Sequence, residues 1–188
     1  MNADQVVKPR RFSFFRFVSS DAGRYLKDAK GRKRLTMWLS LFFFVPGFQL
    51  AFLLRLQELA CKIPILGKII RRFIWYFGSL ISSSEISLGA VIGEGIYLPH
   101  PTGIVIRPEC VVGRNVTILQ GVTIGRGETD HMLPTTIGDG CKIYAGAKII
   151  GNLRIGSNAV IGANAVVLKD IPDGATAVGV PARIIKTQ

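Results

Sequence analysis

Cysteine and histidine are scarce in this sequence, whose 188 residues include three cysteines and two histidines. Cys61, Cys110 and Cys141 are odd in number and widely spaced, with no Cys-x-x-Cys pair and no histidine at metal-ligand spacing. This pattern indicates a reduced, cytoplasmic chain and gives no basis for assigning metal ligands. Cys110 and Cys141 lie among Val and Ile, where a free cysteine is usually a small buried apolar residue.

Acidic residues are scarce in the first 80 positions, which hold 15 Lys and Arg against 4 Asp and Glu, whereas residues 81–188 hold 9 against 8. The formal net charge of +12 therefore belongs almost entirely to the N-terminal part. The basic segment 1–34 ends in KGRKR, a run typical of a solvated face, and it lacks the interleaved aromatic residues that stack on nucleic-acid bases. We expect no nucleic-acid partner, and a membrane surface is the alternative partner for this charge.

Charge is absent altogether from Leu35 to Leu54, a run of 20 residues. Its length matches a membrane-spanning helix, but Pro46-Gly47 in the middle would break one helix into two short halves. No small-residue cleavage site follows the run, so we predict no secretory signal peptide. The expected location is the cytoplasm, with association at the inner face of the cytoplasmic membrane as an alternative.

Helical periodicity continues beyond this run. Apolar residues at spacings of three and four predict an amphipathic helix over residues 52–60. Residues 65–81 then mix Lys and Arg with Phe, Trp and Tyr, a composition that fits either a helix packed within an oligomer or one lying at a bilayer surface. We therefore predict an apolar and amphipathic helical segment over residues 35–84.

From residue 86 onward, aliphatic residues recur every six positions. A period of six over about 80 residues is typical of a parallel β-helix, in which each hexad supplies one short strand and a turn. The aliphatic side chain is expected to point into the coil, and Gly or Asn to occupy the tight corners. The aliphatic positions are Ile86, Ile92, Leu98, Ile104, Val112, Ile118, Ile124, Ile137, Ile143, Ile149, Ile155, Ile161 and Val167.

The period slips twice. Ile104 and Val112 are 8 residues apart, which predicts two extra residues near Pro108-Glu109. Ile124 and Ile137 are 13 residues apart, which predicts a loop extruded from the coil over residues 125–136. Loops on a rigid scaffold often carry binding residues. We assign residues 85–180 to the β-helix domain and residues 181–188 to a C-terminal tail.

Five stretches within about residues 46–185 stand out: PGFQ from Pro46, HPTGIVI from His100, GVTIG from Gly121, AGAKIIGN from Ala145 and VGVPARI from Val178. Together they resemble the hexapeptide-repeat acyltransferases, in particular the serine acetyltransferase branch and its polysaccharide-modifying relatives of the colanic-acid acetyltransferase type. The resemblance implies a mostly β chain, with a left-handed parallel β-helix preceded by an α-helical N-terminal segment. It also implies a homotrimer, with acetyl-CoA as co-substrate in the groove between coils and no resident cofactor.

In that family the histidine of a His-x-Thr-Gly motif is the general base, and His100 matches it. A hydroxyl attacks a thioester poorly unless a base with a pKa near neutrality removes its proton. Glu85 matches the aspartate that orients this histidine, although it is one methylene longer. The alternatives are a surface turn for His100 and a solvated or capping role for Glu85.

The resemblance also implies residues for the acetyl-CoA donor. Small residues let the pantetheine arm approach the coil edge closely, and cationic side chains can contact the CoA phosphates. Two of the cationic candidates, Lys148 and Lys169, could equally be ordinary surface residues. The matching positions are Gly125, Ala145, Ala163, Lys148, Lys169 and Arg183.

At two positions the sequence differs from the family pattern in residues that bind the acceptor substrate. Pro99 replaces the aspartate that holds the amino group of serine in serine acetyltransferases, and Leu133-Pro134 replaces an Arg-His pair that contacts the serine carboxylate. Asp130 and His131 lie nearby as candidate acceptor-binding residues. The sequence therefore favours O-acetylation of a sugar, a polysaccharide or a lipid-linked glycan precursor. The alternatives are serine O-acetylation in cysteine biosynthesis and a non-catalytic trimeric scaffold.

Overall fold

In the computed structural model, which describes residues 13–27, 32–125 and 134–186, four α-helices precede a parallel β-helix. The helices are α1 Phe14–Tyr25, α2 Arg32–Phe44, α3 Pro46–Ala60 and α4 Leu66–Ser82. Pro46 is the first residue of α3, where its missing N–H and fixed φ are no disadvantage. The break that the sequence predicts at Pro46-Gly47 is therefore a boundary between two helices.

No described helix is by itself long and apolar enough to cross a bilayer, and α2 and α3 reach that length only as a pair bent by 83°.

The β-helix consists of short strands stacked in three sheets. The chain visits sheet A, sheet B and sheet C in turn on each coil; their strand orders are β1-β3-β6-β9-β12, β2-β4-β7-β10 and β5-β8-β11-β13-β14. All pairings are parallel except β13 with β14. The strands are β1 Glu85–Ile86, β2 Val91–Ile92, β3 Val105–Ile106, β4 Val111–Val112, β5 Thr117–Ile118, β6 Thr123–Gly125, β7 Thr136–Ile137, β8 Lys142–Ile143, β9 Lys148–Ile150, β10 Arg154–Ile155, β11 Val160–Ile161, β12 Val166–Val167, β13 Thr176–Val178 and β14 Arg183–Lys186.

The core of the β-helix confirms the prediction that the aliphatic hexad residues point inward. Every predicted aliphatic position, from Ile86 to Val167, is at most 4% exposed. Cys110 and Cys141 share this interior, as predicted, whereas Cys61 is exposed. Burial raises the pKa of the Cys141 thiol to about 11, so it stays protonated at neutral pH.

The expectation of a mostly β chain is only partly correct. The described helices contain 12, 13, 15 and 17 residues, whereas the strands contain two to four residues each. Each hexad places few residues in strand conformation and the others in the corners, so helical residues outnumber strand residues. The fold is a β-helix with a substantial helical segment.

Helix α1 lies in the basic segment 1–34, for which the sequence pattern gives no indication of a helix. Its carboxylate Asp21 is 1% exposed and accepts hydrogen bonds from the backbone amides of Gly95 and Ile96 at 2.7 and 2.9 Å. Arg24 donates to the carbonyl of Gly95 at 3.0 Å and to the side chain of Thr117 at 2.9 Å. Polar side chains of α1 thus satisfy backbone groups on the first coil.

A buried arginine of α3 completes this contact. Arg55 is fully buried, and its Nε donates to Asp21 at 2.8 Å. Its two terminal nitrogens donate to the carbonyls of Ile92 and Gly93 at 2.8 and 2.7 Å. The guanidinium group also pairs with Glu58 at 3.2 Å. One buried cation therefore joins α1, α3 and the first coil.

Helix α4 places small residues against α3 and large apolar residues in solvent. Gly78 is buried, and a Cβ atom there would lie 3.6 Å from the Leu53 side chain. Packing within an oligomer and contact with a bilayer surface, the two alternatives for this segment, both stay predictions. The exposed apolar residues of α4 are Leu66, Ile69, Phe73, Tyr76, Phe77, Leu80 and Ile81.

Replacing Asp21 by Asn should destabilise the protein strongly. The change leaves the buried Arg55 guanidinium without its main counter-charge, and breaking a buried pair in this way typically costs about 3–5 kcal/mol. Urea unfolding would measure the loss. Arg16→Gln, which breaks a pair between Arg16 and Glu94 whose arginine side chain is 44% exposed, is the control and should cause a much smaller change. Equal effects of the two variants would contradict the role assigned to Arg55.

Candidate active site

The corner that leads from sheet C to sheet A of the next coil contains two extra residues in the first coil. Tyr97 pairs with Thr117 in register, and the amide of Gly121 donates to the carbonyl of Thr102 at 2.9 Å. Four residues separate Tyr97 from Thr102, whereas only two separate Thr117 from Gln120. With Leu98 in the position of Ile118, the two additional residues are His100 and Pro101. We call residues 99–102 the His100 corner.

This placement corrects the predicted position of the first slip. In the structure Ile106, not Ile104, aligns with Ile86 and Ile124 in sheet A. The extra residues therefore precede Ile106, and the prediction of an insertion near Pro108-Glu109 is wrong. Ile104 and Ile106 are both buried, at 0% and 1% exposure, so their apolar character alone cannot decide which one continues the hexad series.

The His100 corner begins beside α1 and α3. The hydroxyl of Tyr25 accepts from the amide of Leu98 at 3.2 Å and donates to the carbonyl of the same residue at 3.3 Å. Gly47 at the start of α3 packs directly on this carbonyl, since a Cβ atom at Gly47 would lie 1.7 Å from it. Two helices thus meet the chain two residues before His100.

A buried serine holds the other end of the corner. The hydroxyl of Ser84, which is 4% exposed, donates to the carbonyl of Pro101 and accepts from the amide of Ile104 at 2.9 Å. Gly103 follows with a φ of +68°, a conformation that favours glycine, and stacks on Gly121 of the next coil with the same φ. The chain therefore re-enters the regular coil immediately after the insertion.

Glu85 lies near His100 in the fold, without a direct bond to it. Glu85 is exposed on β1, its amide donates to the carbonyl of Ile104 at 2.8 Å, and it pairs with Val105. The hydrogen bond from Ser84 to Pro101 joins the chain neighbours of Glu85 and His100. Both side chains are exposed, and within the described part of the chain no hydrogen bond connects them.

Two donor candidates share the column of corners to which the His100 corner belongs. The carbonyl of Gln120 accepts from Gly146 at 2.8 Å and that of Ala145 accepts from Asn164 at 2.8 Å, so Thr102, Gln120, Ala145 and Ala163 occupy equivalent positions on successive coils. Ala163 is exposed and Ala145 half-buried. The small side chains predicted to line the donor groove therefore continue the line of the His100 corner.

Lys148 lies on sheet A next to this column. Its Nζ donates to the carbonyl of Gly121 at 2.6 Å and to the hydroxyl of Thr123 at 3.1 Å. The ammonium group is held against the coil, which leaves it less free to follow a mobile phosphate than a surface lysine would be.

The remaining predicted residues are not brought to the His100 corner within one protomer. Gly125 ends β6 at the next corner and is buried, with its carbonyl accepting from Gly151 at 2.9 Å. Lys169 follows β12, and Arg183 begins β14 at the far end of sheet C; both are exposed. Asp130 and His131 lie outside the described residues.

Sequence reasoning missed three residues at this site: Tyr25, Gly47 and Ser84. Only Gly47 has a local indication in the sequence: it follows a proline that can begin a helix, and a glycine at such a position can indicate close approach of another backbone. Tyr25 and Ser84 carry no local signal, because their partners lie 73 and 17 residues away in the chain.

Comparison with known proteins identifies the family to which this fold belongs. The sequence profile of the bacterial transferase hexapeptide family (six repeats) matches residues 134–169. The structure of the soybean serine acetyltransferase apoenzyme superposes with a TM-score of 0.79 at 31% identity, covering 92% of this chain and 69% of that one. The chain belongs to the hexapeptide-repeat transferase family. These repeats and structural neighbours imply a left-handed coil, which the family resemblance also implies.

Other relatives of this family member are also serine acetyltransferases. Serine acetyltransferase 1, chloroplastic, of Arabidopsis thaliana is 53% identical over 102 residues, which cover 54% of this chain and 32% of the relative. The Bacillus subtilis (strain 168) enzyme is 39% identical over 115 residues, which cover 61% and 53%. The chain thus spans about half or less of these curated relatives. A serine acetyltransferase of Brucella abortus strain S19 in complex with coenzyme A superposes with a TM-score of 0.79 at 32% identity, covering 92% and 68%.

These findings overturn the predicted acceptor. The relatives are named serine acetyltransferases, so the prediction of a sugar or glycan acceptor is wrong, and the polysaccharide branch is not supported. The prediction of a sugar rests on Pro99 and on Leu133-Pro134, which replace residues that hold serine in serine acetyltransferases. The loss of these serine-binding residues means only that serine would need other partners. It does not by itself indicate a sugar acceptor.

Replacing Gly47 by Ala should destabilise the contact between α3 and the His100 corner. The new methyl group would overlap the carbonyl of Leu98, and such overpacking typically costs about 1–3 kcal/mol. Gly23→Ala in α1 is the matched control, because a Cβ atom there meets nothing within 4 Å, and it should stabilise the helix by about 0.5–1 kcal/mol. Thermal or urea unfolding would measure both; a stabilising effect of Gly47→Ala would refute the close approach.

Proposed function

We propose that this protein is an acetyl-CoA-dependent serine O-acetyltransferase in which His100 is the general base. The observation that carries the proposal is the two-residue insertion, which places an exposed histidine at the corner where the regular coil has no corresponding residue. The relatives named serine acetyltransferases support serine as the acceptor, and the neighbour in complex with coenzyme A supports the donor.

His100 supplies the proton transfers. As the serine hydroxyl attacks the thioester carbonyl of acetyl-CoA, the imidazole takes its proton, and a tetrahedral intermediate forms. When that intermediate collapses, the C–S bond breaks, and the imidazolium returns the proton to the departing CoA sulfur. The products are O-acetylserine and CoA, and His100 is again neutral.

Glu85 stabilises and orients the imidazolium. The carboxylate is exposed on β1, and the preceding residue, Ser84, donates a hydrogen bond to the carbonyl of Pro101, next to His100. A carboxylate at the second ring nitrogen would select the tautomer in which the first nitrogen is free to accept the proton.

The donor follows the column of corners. An extended pantetheine arm can lie along Ala145 and Ala163, because small side chains leave their backbone groups accessible. Gly125, Lys169 and Arg183 lie elsewhere on the protomer, so their roles require a neighbouring subunit. We assign them to the groove between two protomers of a homotrimer, with Lys169 and Arg183 as partners of the CoA phosphates. Lys148, which bonds the coil, supports the groove wall.

The serine substrate needs partners other than residue 99. Pro99 has no charged group, so the ammonium group of serine must be held elsewhere, and Asp130 and His131 are the candidates on the loop. A cytoplasmic location fits this reaction, because acetyl-CoA is available there.

Replacing His100 by Ala should slow acetyl transfer by about 100-fold to 10,000-fold, since general base catalysis contributes on that scale. CoA release from acetyl-CoA with serine, compared with glucose and N-acetylglucosamine as control acceptors, would measure it. The exposed position of His100 predicts unchanged unfolding by urea and an unchanged KM for acetyl-CoA. A wild-type rate in His100→Ala would refute the mechanism, and a wild-type protein without activity on serine would refute the proposed function.

Replacing Glu85 by Gln should lower kcat by about tenfold or more while leaving the KM for acetyl-CoA nearly unchanged, because the tautomer and orientation of the base would no longer be selected. Glu85→Asp, which retains the charge, should restore part of the rate. Steady-state kinetics across pH would measure both variants. Equal kcat values for Glu85→Gln and the wild type would leave Glu85 a solvated surface residue.

A further inference from the structure

Of the four residues in the His100 corner, Thr102 keeps the ladder bond of the other corners, because its carbonyl accepts from the amide of Gly121. Residues 99–101 must be held differently. Proline has no backbone N–H, so Pro99 and Pro101 leave His100 as the single amide donor among three consecutive residues. Two of these residues also have no counterpart on the next coil, so the backbone groups of that coil are not spaced to bond them. The position of the imidazole must therefore depend on other contacts.

Tyr25 fixes the entry to the corner. Its hydroxyl both accepts from and donates to the backbone of Leu98, two residues before His100. Its ring packs edge-on against Phe48 at 6.0 Å and Tyr97 at 4.7 Å, so the hydroxyl is aimed by two neighbours. Burial raises the pKa of Tyr25 well above its ordinary value, which keeps the hydroxyl protonated and able to donate.

Ser84 fixes the exit from the corner. Its hydroxyl bonds the carbonyl of Pro101, the residue after His100, and the amide of Ile104. Ser84 also directly precedes Glu85, whose strand pairs with Val105. This side chain therefore links the backbone that carries Glu85 to the backbone that carries His100, in addition to the backbone bonds from Glu85 to Ile104 and from Gly103 to Ser83.

We infer that Tyr25 and Ser84 are positioning residues that hold His100 in its catalytic orientation, an inference that rests on the proposed function. Neither side chain needs to touch the substrate. Tyr25 acts from α1, outside the repeats, and Ser84 from the first coil. Between them they restrain both ends of a segment whose own backbone has few hydrogen bonds.

Tyr25→Phe and Ser84→Ala test this inference, since each removes one hydroxyl. Tyr97→Phe is the matched control for the first, because the Tyr97 hydroxyl makes no hydrogen bond within the described structure although its ring packs against Tyr25. Ser82→Ala is the control for the second. Ser82 is similarly buried, and its hydroxyl donates to the carbonyl of Gly78 at 2.6 Å within α4. The carbonyl of Ser82, which accepts from the Ser84 hydroxyl at 3.3 Å, is retained in Ser82→Ala.

Each test variant should lower kcat for serine acetylation by about tenfold, since misplacing a catalytic group by a fraction of an ångström to 1 Å costs up to about 100-fold. The KM for acetyl-CoA should stay within about twofold of the wild type, and the controls should retain the wild-type kcat. Ser84→Thr, which keeps the hydroxyl, should recover part of the rate. Unchanged kcat in both test variants, or equal losses in test and control variants, would overturn the inference.

A second measurement separates this inference from the proposed function. The chain has two histidines, so NMR shows two imidazole signals, and the one missing in His100→Ala belongs to His100. Tyr25→Phe and Ser84→Ala should shift or broaden that signal and leave the signal of His131 unchanged. Such a shift in a protein inactive on serine would refute the function and leave the positioning intact. An unshifted signal in an active protein would refute the positioning alone.

Discussion

The first coil of a β-helix has an open edge, and the rest of this structure depends on how that edge is satisfied. Backbone N–H and C=O groups on this side have no preceding coil to bond, and burying them unpaired would cost free energy comparable to that of a lost hydrogen bond. Arg55 donates hydrogen bonds to the carbonyls of Ile92 and Gly93, and Asp21 accepts hydrogen bonds from the amides of Gly95 and Ile96. Because these side chains also bond each other, the helices cap the edge as one unit.

This requirement joins two segments that composition separates. The change of periodicity near residue 85 suggests a boundary between a helical segment and a β-helix, yet the buried Arg55 has partners on both sides of it. At the other end of the β-helix, β14 folds back antiparallel onto β13 and covers the edge of sheet C. Backbone groups of a strand thus pair with the last strand of sheet C, whereas polar side chains pair with the backbone groups of the first coil.

The contrast between what the sequence predicts and what it hides follows from the range of the interactions. The buried hexad positions and the buried Cys110 and Cys141 are predictable because period and apolarity are local properties. The true site of the insertion is not, because Ile104 and Ile106 satisfy the aliphatic pattern equally and only pairing with Ile86 decides between them. Tyr25 is hidden for the same reason: nothing near it in sequence indicates a partner in the first coil.

The two prolines beside His100 affect the conformation of the corner as well as the binding of the acceptor substrate. They remove two amide donors and fix two φ angles, so the corner loses ladder bonds but also loses conformational freedom that an ordinary insertion would have. A restricted segment needs few restraints, and the hydroxyl groups at its two ends add to the backbone bonds of Thr102 and Gly103. The same Pro99 cannot hold an ammonium group. The rigidity of the His100 corner therefore depends on the capped coil, and a charged partner for the proposed serine substrate must come from another part of the chain.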